Sequence, residues 1–271
     1  MERDTPYAGL DPDLILDAVA EAGFEPDGRM LALGSYENRV YQVGIEGAPA
    51  LVVKFYRPGR WSDAAIAEEH AFALELATAE LPVVAPLLIE GRSLFALDGF
   101  RYSLYPRQGG REPELESKQN LEWMGRLLAR IHGVGSRATF TQRGRIDVQT
   151  FLRDPSREVL GSTLLPTHLH SRYRKLVDGL AQRIDRRFAD CAPLRQIRLH
   201  GDCHRGNVLW TDAGPHFVDL DDARMGPAVQ DLWMLAPSAQ ALDSVLEGYA
   251  EFRDFDHGEL ALIEPLRIMR Q

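Results

Sequence analysis

Apolar positions recur with two different periods along this chain, and the changeover comes near residue 105. Behind Asp11 and Pro12, the residues Leu14, Ile15, Ala18 and Val19 share one helical face that Gly23 ends. Three strand-like runs follow at 30–33, 39–45 and 51–56, with Val40 and Val43 among the apolar positions of the second. A helix is predicted over 64–79, then apolar runs at 81–89, 94–97 and 100–105. After the turn-rich stretch Pro106-Arg-Gln-Gly-Gly-Arg111 the period becomes helical. Trp123, Met124, Leu127, Leu128 and Ile131 follow it, and Gly133 and Gly135 are expected to stop that helix. A further helix is predicted over 168–188, and a hairpin with strands at 208–210 and 216–220. The segment 137–163 has no clear period and no assignment. The pattern predicts an α+β chain of two lobes, a small β-rich N-lobe over 1–105 and a larger helical C-lobe over 106–271.

Composition narrows the class. The chain has 271 residues, enough for a large core, and its 45% hydrophobic and 26% charged content is ordinary for a soluble globular protein. A net charge of −9 argues against general nucleic-acid binding, which needs a basic face. No apolar run approaches the ~20 residues of a membrane span, and the acidic N-terminus lacks an apolar export signal. Cys191 and Cys203 are too few for a disulfide scaffold, so both are expected as free thiols in a reducing cytoplasm.

The chemistry concentrates in His200-Gly-Asp-Cys-His-Arg-Gly-Asn207, followed by Phe217-Val-Asp219-Leu-Asp-Asp222. Asp202 and Asn207 stand five apart in a loop, and Asp219 comes twelve residues after Asn207. Phosphoryl transfer from a magnesium nucleotide needs one carboxylate to accept the proton of the attacking hydroxyl. It also needs an amide oxygen and a second carboxylate to hold Mg²⁺ on the phosphates. The H-x-D-x-x-x-x-N spacing is that of the protein-kinase catalytic loop, and Asp219 falls where the metal-binding Asp of the D-F-G segment would be. A D-x-x-x-x-N pair alone is a weak signal; the whole string with its downstream Asp is a strong one.

Nucleotide-binding candidates precede it in order. Lys54 lies in the middle of an apolar strand, where an unpaired ammonium is costly to bury, so it either points to solvent or binds phosphate. Glu68 and Glu69 on the next helix are candidates to pair with it; Glu69 is preferred because Phe72, Ala73 and Leu76 continue its face. The loop Leu33-Gly34-Ser35-Tyr-Glu-Asn38 offers hydroxyl, amide and backbone donors to phosphate, and equally fits an ordinary hairpin turn. The run from Tyr102 to Tyr105 and Pro106 is placed to present backbone groups and an apolar surface to adenine, or is an edge strand ending at a proline. His200 is expected to be structural, bonded to nearby backbone. His204 is left between a structural role and a reach toward phosphate or substrate. Asp221 and Asp222 are further candidates for the metal site, with Asp221 read first as a cap or ion-pair partner for Arg224, and Trp123, Trp210 and Trp233 read as core. No Ser-His-Asp order or C-x-x-C pair supports a hydrolase or a zinc site.

These strings resemble the aminoglycoside phosphotransferase and choline kinase superfamily of protein-kinase-like enzymes, and within it the bacterial serine/threonine kinases of the stress-response type. The resemblance runs through Ser35-Tyr-Glu-Asn-Arg-Val-Tyr41, Val53-Lys-Phe-Tyr-Arg-Pro58, the His200 and Asp219 strings, and Gly226-Pro-Ala-Val-Gln-Asp231-Leu-Trp-Met234. It implies a bilobal kinase-like fold with Asp202 as base, Asn207 and Asp219 on Mg²⁺, Ser35 on ATP, Lys54 on phosphate, and Asp231 bracing the catalytic loop. Such proteins continue for several tens of residues past the point matching Gln271, so on this resemblance either the gene product is shortened or its final helix is cut; a shortened C-terminal side would leave the substrate cleft more open.

The expected activity is ATP- and Mg²⁺-dependent transfer to a serine or threonine of a protein substrate by a cytoplasmic monomer, with Asp202 and Asp219 as catalytic residues and Ser35, Lys54, Glu69 and Tyr105 on the nucleotide. The alternatives are a kinase for a small alcohol such as an aminoglycoside, choline or a homoserine-like acceptor, and a non-catalytic ATP-binding partner protein. The intact Asp202, Asn207 and Asp219 count against the last.

Overall fold

The computed structural model describes residues 6–270. The first residues of the acidic N-terminus, 1–5, and Gln271 lie outside the described residues. The chain divides into two compact units: 6–112 with Val208–Asp221, and Pro113–Asn207 with 222–270.

In the first unit, α1 (Pro12–Glu21) begins at Asp11, whose side chain accepts the Leu14 N–H, with proline at the first helical position. Five antiparallel strands follow: β1 (Pro26–Leu33), β2 (Arg39–Ile45), β3 (Ala48–Phe55), β4 (Phe95–Leu97) and β5 (Phe100–Pro106). They lie in the order β1-β2-β3-β5-β4. The period of two sorts their side chains. Val43, Leu51, Val53, Phe55, Tyr102 and Leu104 join Ile15, Ala18 and Val19 of α1 in one core. Lys54 has the opposite parity and is paired in register with Val40 and Ser103. Strand β5 is interior, not an edge: β3 flanks it on one side and β4 on the other. Helix α2 (Asp63–Thr78) is capped by Ser62 and buries Ile66, Glu69, Phe72, Ala73 and Leu76. The apolar run 81–89 is not a strand. It makes only single bridges, Val83 to Phe217 and Ile89 to Arg92.

The second unit is helical. Its first helix, α3 (Lys118–Gly135), is capped by Ser117 and buries Leu121, Met124, Leu128 and Ile131 on one stripe. Gly133 does not stop it. Gly135 is its last residue, and a Cβ there would lie 2.2 Å from the Arg198 carbonyl oxygen, so close approach and not termination requires the glycine. Trp123 sits at the margin of the stripe and is 37% exposed, and Trp210 is half-buried; Trp233, also half-buried, packs against the core that holds Leu199 and Leu266. The unassigned segment 137–163 holds one π-helical turn, Gln149–Arg153, continued by α4 (Asp154–Gly161). Within α4 the weak sequence signal follows from low burial, since Ser156 is the only buried residue of that helix. Next come α5 (His170–Asp190) and β6 (Ile197–Arg198).

The chain then leaves this unit. The hairpin of β7 (Val208–Thr211) and β8 (Gly214–Phe217) belongs to the first unit, where Val84 N–H donates to the Phe217 carbonyl and Phe217 N–H to that of Pro82. It returns to pair β9 (Met225–Gly226) with β6, followed by α6 (Val229–Leu235), α7 (Ala239–Ala250) and α8 (Ile263–Met269). Helices α3 and α7 meet at two glycines: a Cβ on Gly125 would lie 2.0 Å from the Val245 carbonyl oxygen, and one on Gly248 2.0 Å from that of Glu122. No helix among the described residues is long and apolar enough to cross a membrane.

One buried acid gives the second unit a pH-dependent stability. Glu259 accepts the Val229 N–H at 2.9 Å, where α6 begins. Burial pushes its pKa up from 4.5 to about 7, partly opposed by that hydrogen bond and helped by the Asp256 charge. The folded state therefore holds the proton more tightly than the unfolded chain. Its contribution is fully present below about 4.5 and is lost as pH rises through about 7, with an upper bound of roughly 3 kcal/mol. Glu259→Gln keeps an acceptor for Val229 and removes the titration. Its melting temperature is expected to fall less than wild type's between about pH 5 and about pH 8. Equal slopes in thermal melts of the two proteins would rule this out.

Candidate active site

The first unit supplies a buried cation facing an exposed acid. Lys54 is 6% exposed, and its ammonium lies 2.8 Å from Asp219 Oδ1 and 3.4 Å from Asp221 Oδ1. Burial alone would lower its pKa, but the charges of Asp219 and Asp221, with Tyr56 and Glu69 behind them, hold it well above the ordinary lysine value. Lys54 is thus a fixed positive charge. Its direct ion pairs go to Asp219 and Asp221; Glu69, expected as its partner, is buried on the inner face of α2 and adds its charge to that field. Asp221, read from the sequence as a cap or a partner for Arg224, is engaged by Lys54 and also by Arg60 at 3.1 Å.

Asp219 itself has a φ of +60°, the left-handed region, at a cost of about 1–3 kcal/mol for a residue with a side chain. The paired β8 strand ending at Phe217 holds it there, and its side chain stays 44% exposed. A strained acid kept open to solvent beside a buried lysine is suited to a ligand and adds little to a core. Tyr105 on β5 lies in register with Val52. Its hydroxyl meets that of Tyr56 at 3.1 Å, which in turn meets His70 Nε2 at 2.7 Å. Burial pushes the Tyr105 hydroxyl pKa well up, so it remains a neutral donor and acceptor. Ser35 is half-buried in the β1–β2 loop. Asn38 of that loop is buried, and its side-chain oxygen accepts the Arg57 N–H, so that oxygen holds the loop's shape.

The second unit supplies a braced loop. Strand β6 leads into His200 and Gly201, whose backbone N–H groups donate to Asp231 Oδ2 and Oδ1, each at 2.9 Å. Asp231 is fully buried on α6 and takes His132 Nε2 at 3.1 Å as well. Burial would raise its pKa, yet the His132 bond, the charges of His132 and His200 and the Gly201 N–H hold it below the usual carboxylate value. Only glycine fits at 201: its φ is +85°, and a Cβ would lie 2.1 Å from the Asp222 carbonyl oxygen. His200 is buried and structural, as expected, with Nδ1 toward the Asp202 N–H at 3.4 Å.

Asp202 follows, its side chain 21% exposed. Asn207 Nδ2 donates to the Asp202 backbone oxygen at 2.9 Å, which leaves the Asn207 side-chain oxygen as the atom open to a cation. His204 is exposed and folds back to accept the Gly206 N–H on Nδ1. Cys203 is a buried free thiol whose pKa burial raises well above normal, so it is inert. Among the described residues no three His, Cys, Asp or Glu side chains gather as a metal cluster. One amide and one or two carboxylate oxygens are the donor set with which Mg²⁺ binds together with phosphates and water.

Three participants were missed from the sequence. His132 lies on the buried stripe of α3, and its polar ring there was an available signal. Arg60 and Arg270, which bonds to Gly201 and Asp202, carried none, because each finds its partner far along the chain.

The lysine–acid pair of the first unit and the braced loop of the second are each of the kind a phosphotransferase uses. The chain belongs to the phosphotransferase enzyme family, whose profile matches residues 30–263. It is 44% identical over 269 residues to stress response kinase A of Escherichia coli K12, covering 97% of this chain and 81% of that protein. It is 45% identical over 271 residues to the serine/threonine protein kinase RdoA of Salmonella typhimurium, with the same coverage. Among solved structures, amicoumacin kinase hAmiN in complex with AMP-PNP, Ca²⁺ and Ami shares the fold at a TM-score of 0.74 and 19% identity, over 96% of this chain and 83% of that one.

Proposed function

We propose that this protein transfers the γ-phosphoryl group of Mg·ATP to a serine or threonine hydroxyl of a protein, as a monomer in the cytoplasm with a stress-response role. The identity of 44–45% across nearly the whole chain to relatives named stress response kinase A and serine/threonine protein kinase RdoA carries the choice of acceptor. In this reading the first lobe binds nucleotide, with Lys54 and Ser35 on the phosphates, Glu69 supporting Lys54 and Tyr105 near the base. Asn207 and Asp219 hold Mg²⁺, which neutralises charge on the phosphates when bound. Asp202 orients the acceptor hydroxyl and accepts its proton. Phosphoryl transfer asks little covalent chemistry of the protein, so positioning and fixed charge supply most of the rate.

The reading is tested with radiolabelled ATP offered to a generic basic protein and, separately, to kanamycin, choline and homoserine. Labelled serine or threonine that depends on Mg²⁺ and Asp202, with little transfer to the three alcohols, is expected. The small-molecule reading draws on the fold shared with amicoumacin kinase. Robust turnover of any of the three with no labelled protein would establish it in place of the first.

The metal assignment has its own measurement. Asp219→Ala should weaken Mg·ATP binding by about tenfold or more, ~1.4 kcal/mol, besides slowing turnover. Unchanged affinity in titration calorimetry would move the ligand role to Asp221 or Asp222.

A further inference from the structure

A carboxylate base on a loop has a soft final torsion: rotation about the bond to the carboxyl group is broad and nearly two-fold, so neither oxygen is favoured. A rate that depends on an in-line hydroxyl needs one oxygen held toward the acceptor. The braces described so far act on the backbone of the Asp202 loop. Asp231 takes the N–H groups of His200 and Gly201, and Asn207 takes the carbonyl of Asp202. None of these three hydrogen bonds reaches the carboxylate.

Arg270 does. Its Nη1 donates to the Gly201 carbonyl oxygen at 2.9 Å, and its Nη2 bonds Oδ1 of Asp202. The other carboxylate oxygen, Oδ2, faces His204 Nε2 at 3.6 Å. Both Arg270 and Asp202 are partly shielded, with side chains 23% and 21% exposed, so the pair is less screened than a surface bridge. The guanidinium is also well anchored. Helix α8 buries Leu266 and Met269 in the same core as Ile197 and Leu199, the residues that lead into the Asp202 loop. Arg270 comes directly after Met269, and its own N–H caps the helix on the Arg267 carbonyl. One core therefore fixes both ends of the bridge.

We propose that Arg270 is a positioning residue for the base: one guanidinium ties the Gly201 carbonyl to Oδ1 of Asp202, so that Oδ2 is the oxygen turned to the acceptor hydroxyl. The inference rests on the assignment of Asp202 as base. Phosphoryl transfer asks the protein chiefly for positioning, so holding the base in one orientation is what such a tether contributes. The planar fork matters as well as the charge, because a lysine ammonium lacks the paired, pre-organised donors that tie two acceptors at fixed geometry.

The experiment uses the full chain with Arg270→Ala and Arg270→Lys beside Asp202→Ala. Arg270→Ala is expected to lower kcat by about 10- to 100-fold with KM for ATP within about twofold. Arg270→Lys should retain part of the lost rate, and added guanidinium ion should restore part of it to Arg270→Ala and none to wild type. An unchanged or increased kcat in Arg270→Ala overturns the proposal. So does a loss that tracks a lowered melting temperature and is rescued by neither lysine nor guanidinium, since that is a purely structural role. If wild type shows no transfer that Asp202→Ala abolishes, the base assignment fails first. Amide hydrogen exchange over residues 200–207 then judges the tether alone. Faster exchange confined to that loop in Arg270→Ala, at unchanged melting temperature, supports it; unchanged exchange sinks it.

Discussion

Asp202→Ala is expected to lower phosphoryl transfer by about 10²–10⁴ while leaving Mg·ATP affinity within a few-fold of wild type. The two readouts separate because the geometry separates the roles. Asp202 carries its carboxylate on a loop whose backbone is held by Asp231 and Asn207, and its side chain is tied to Arg270. The proposed metal ligands are other atoms: the Asn207 side-chain oxygen and the exposed carboxylate of Asp219. Removing Asp202 deletes a proton acceptor without deleting either. Rapid-quench turnover and titration calorimetry on one preparation decide it, and near-wild-type turnover would end the assignment.

Asp231→Ala should do more damage to the fold than any other single change named here, by about 3–5 kcal/mol. Its carboxylate accepts two backbone N–H groups and the His132 ring, all in the buried interior. Truncation leaves three buried donors without that acceptor, each costing on the order of 1–3 kcal/mol. Turnover should fall with stability, because the orphaned N–H groups belong to the residues that lead into Asp202. Because the folded pKa of Asp231 is depressed, its contribution is present above the ordinary carboxylate range and is lost as pH falls through the folded value. Chemical denaturation of the second unit at neutral pH measures the loss. A destabilisation below about 1 kcal/mol would mean that water replaces the carboxylate without cost.

Much of the architecture was legible because its signals are local. The run 39–45 is β2 as read, Asp11 and Pro12 open α1, and the face of Glu69, Phe72, Ala73 and Leu76 is buried on α2. Period and capping depend on neighbours within a few residues, and no distant contact overrode them at these places. The misreadings share a cause of the opposite kind. Gly133 looks like a helix stop, yet α3 runs on to Gly135, where a Cβ would meet the Arg198 carbonyl oxygen. The run 81–89 has strand-like composition and finds single bridges in place of a ladder. The hairpin expected at 208–210 and 216–220 does form, as β7 and β8, and it pairs with the first unit although helices flank it in sequence.

The sequence alone determined the class of chemistry. An Asp and an Asn five apart, a glycine in H-G-D and an Asp twelve residues on are spacings that loop geometry itself demands, and they stay readable because all of them lie within one short stretch. Tertiary structure alone decided how those groups are held. It put Asp219 and Asp221 on Lys54, 165 and 167 residues apart in the chain, and put Arg60 on Asp221. It delivered Arg270 to Asp202 from 68 residues away. A charge pair of that separation leaves no periodicity and no fixed spacing. Only the packing of α8 and β6 into one core, and the pleat that turns Lys54 to the opposite face from α1, specify which charges meet.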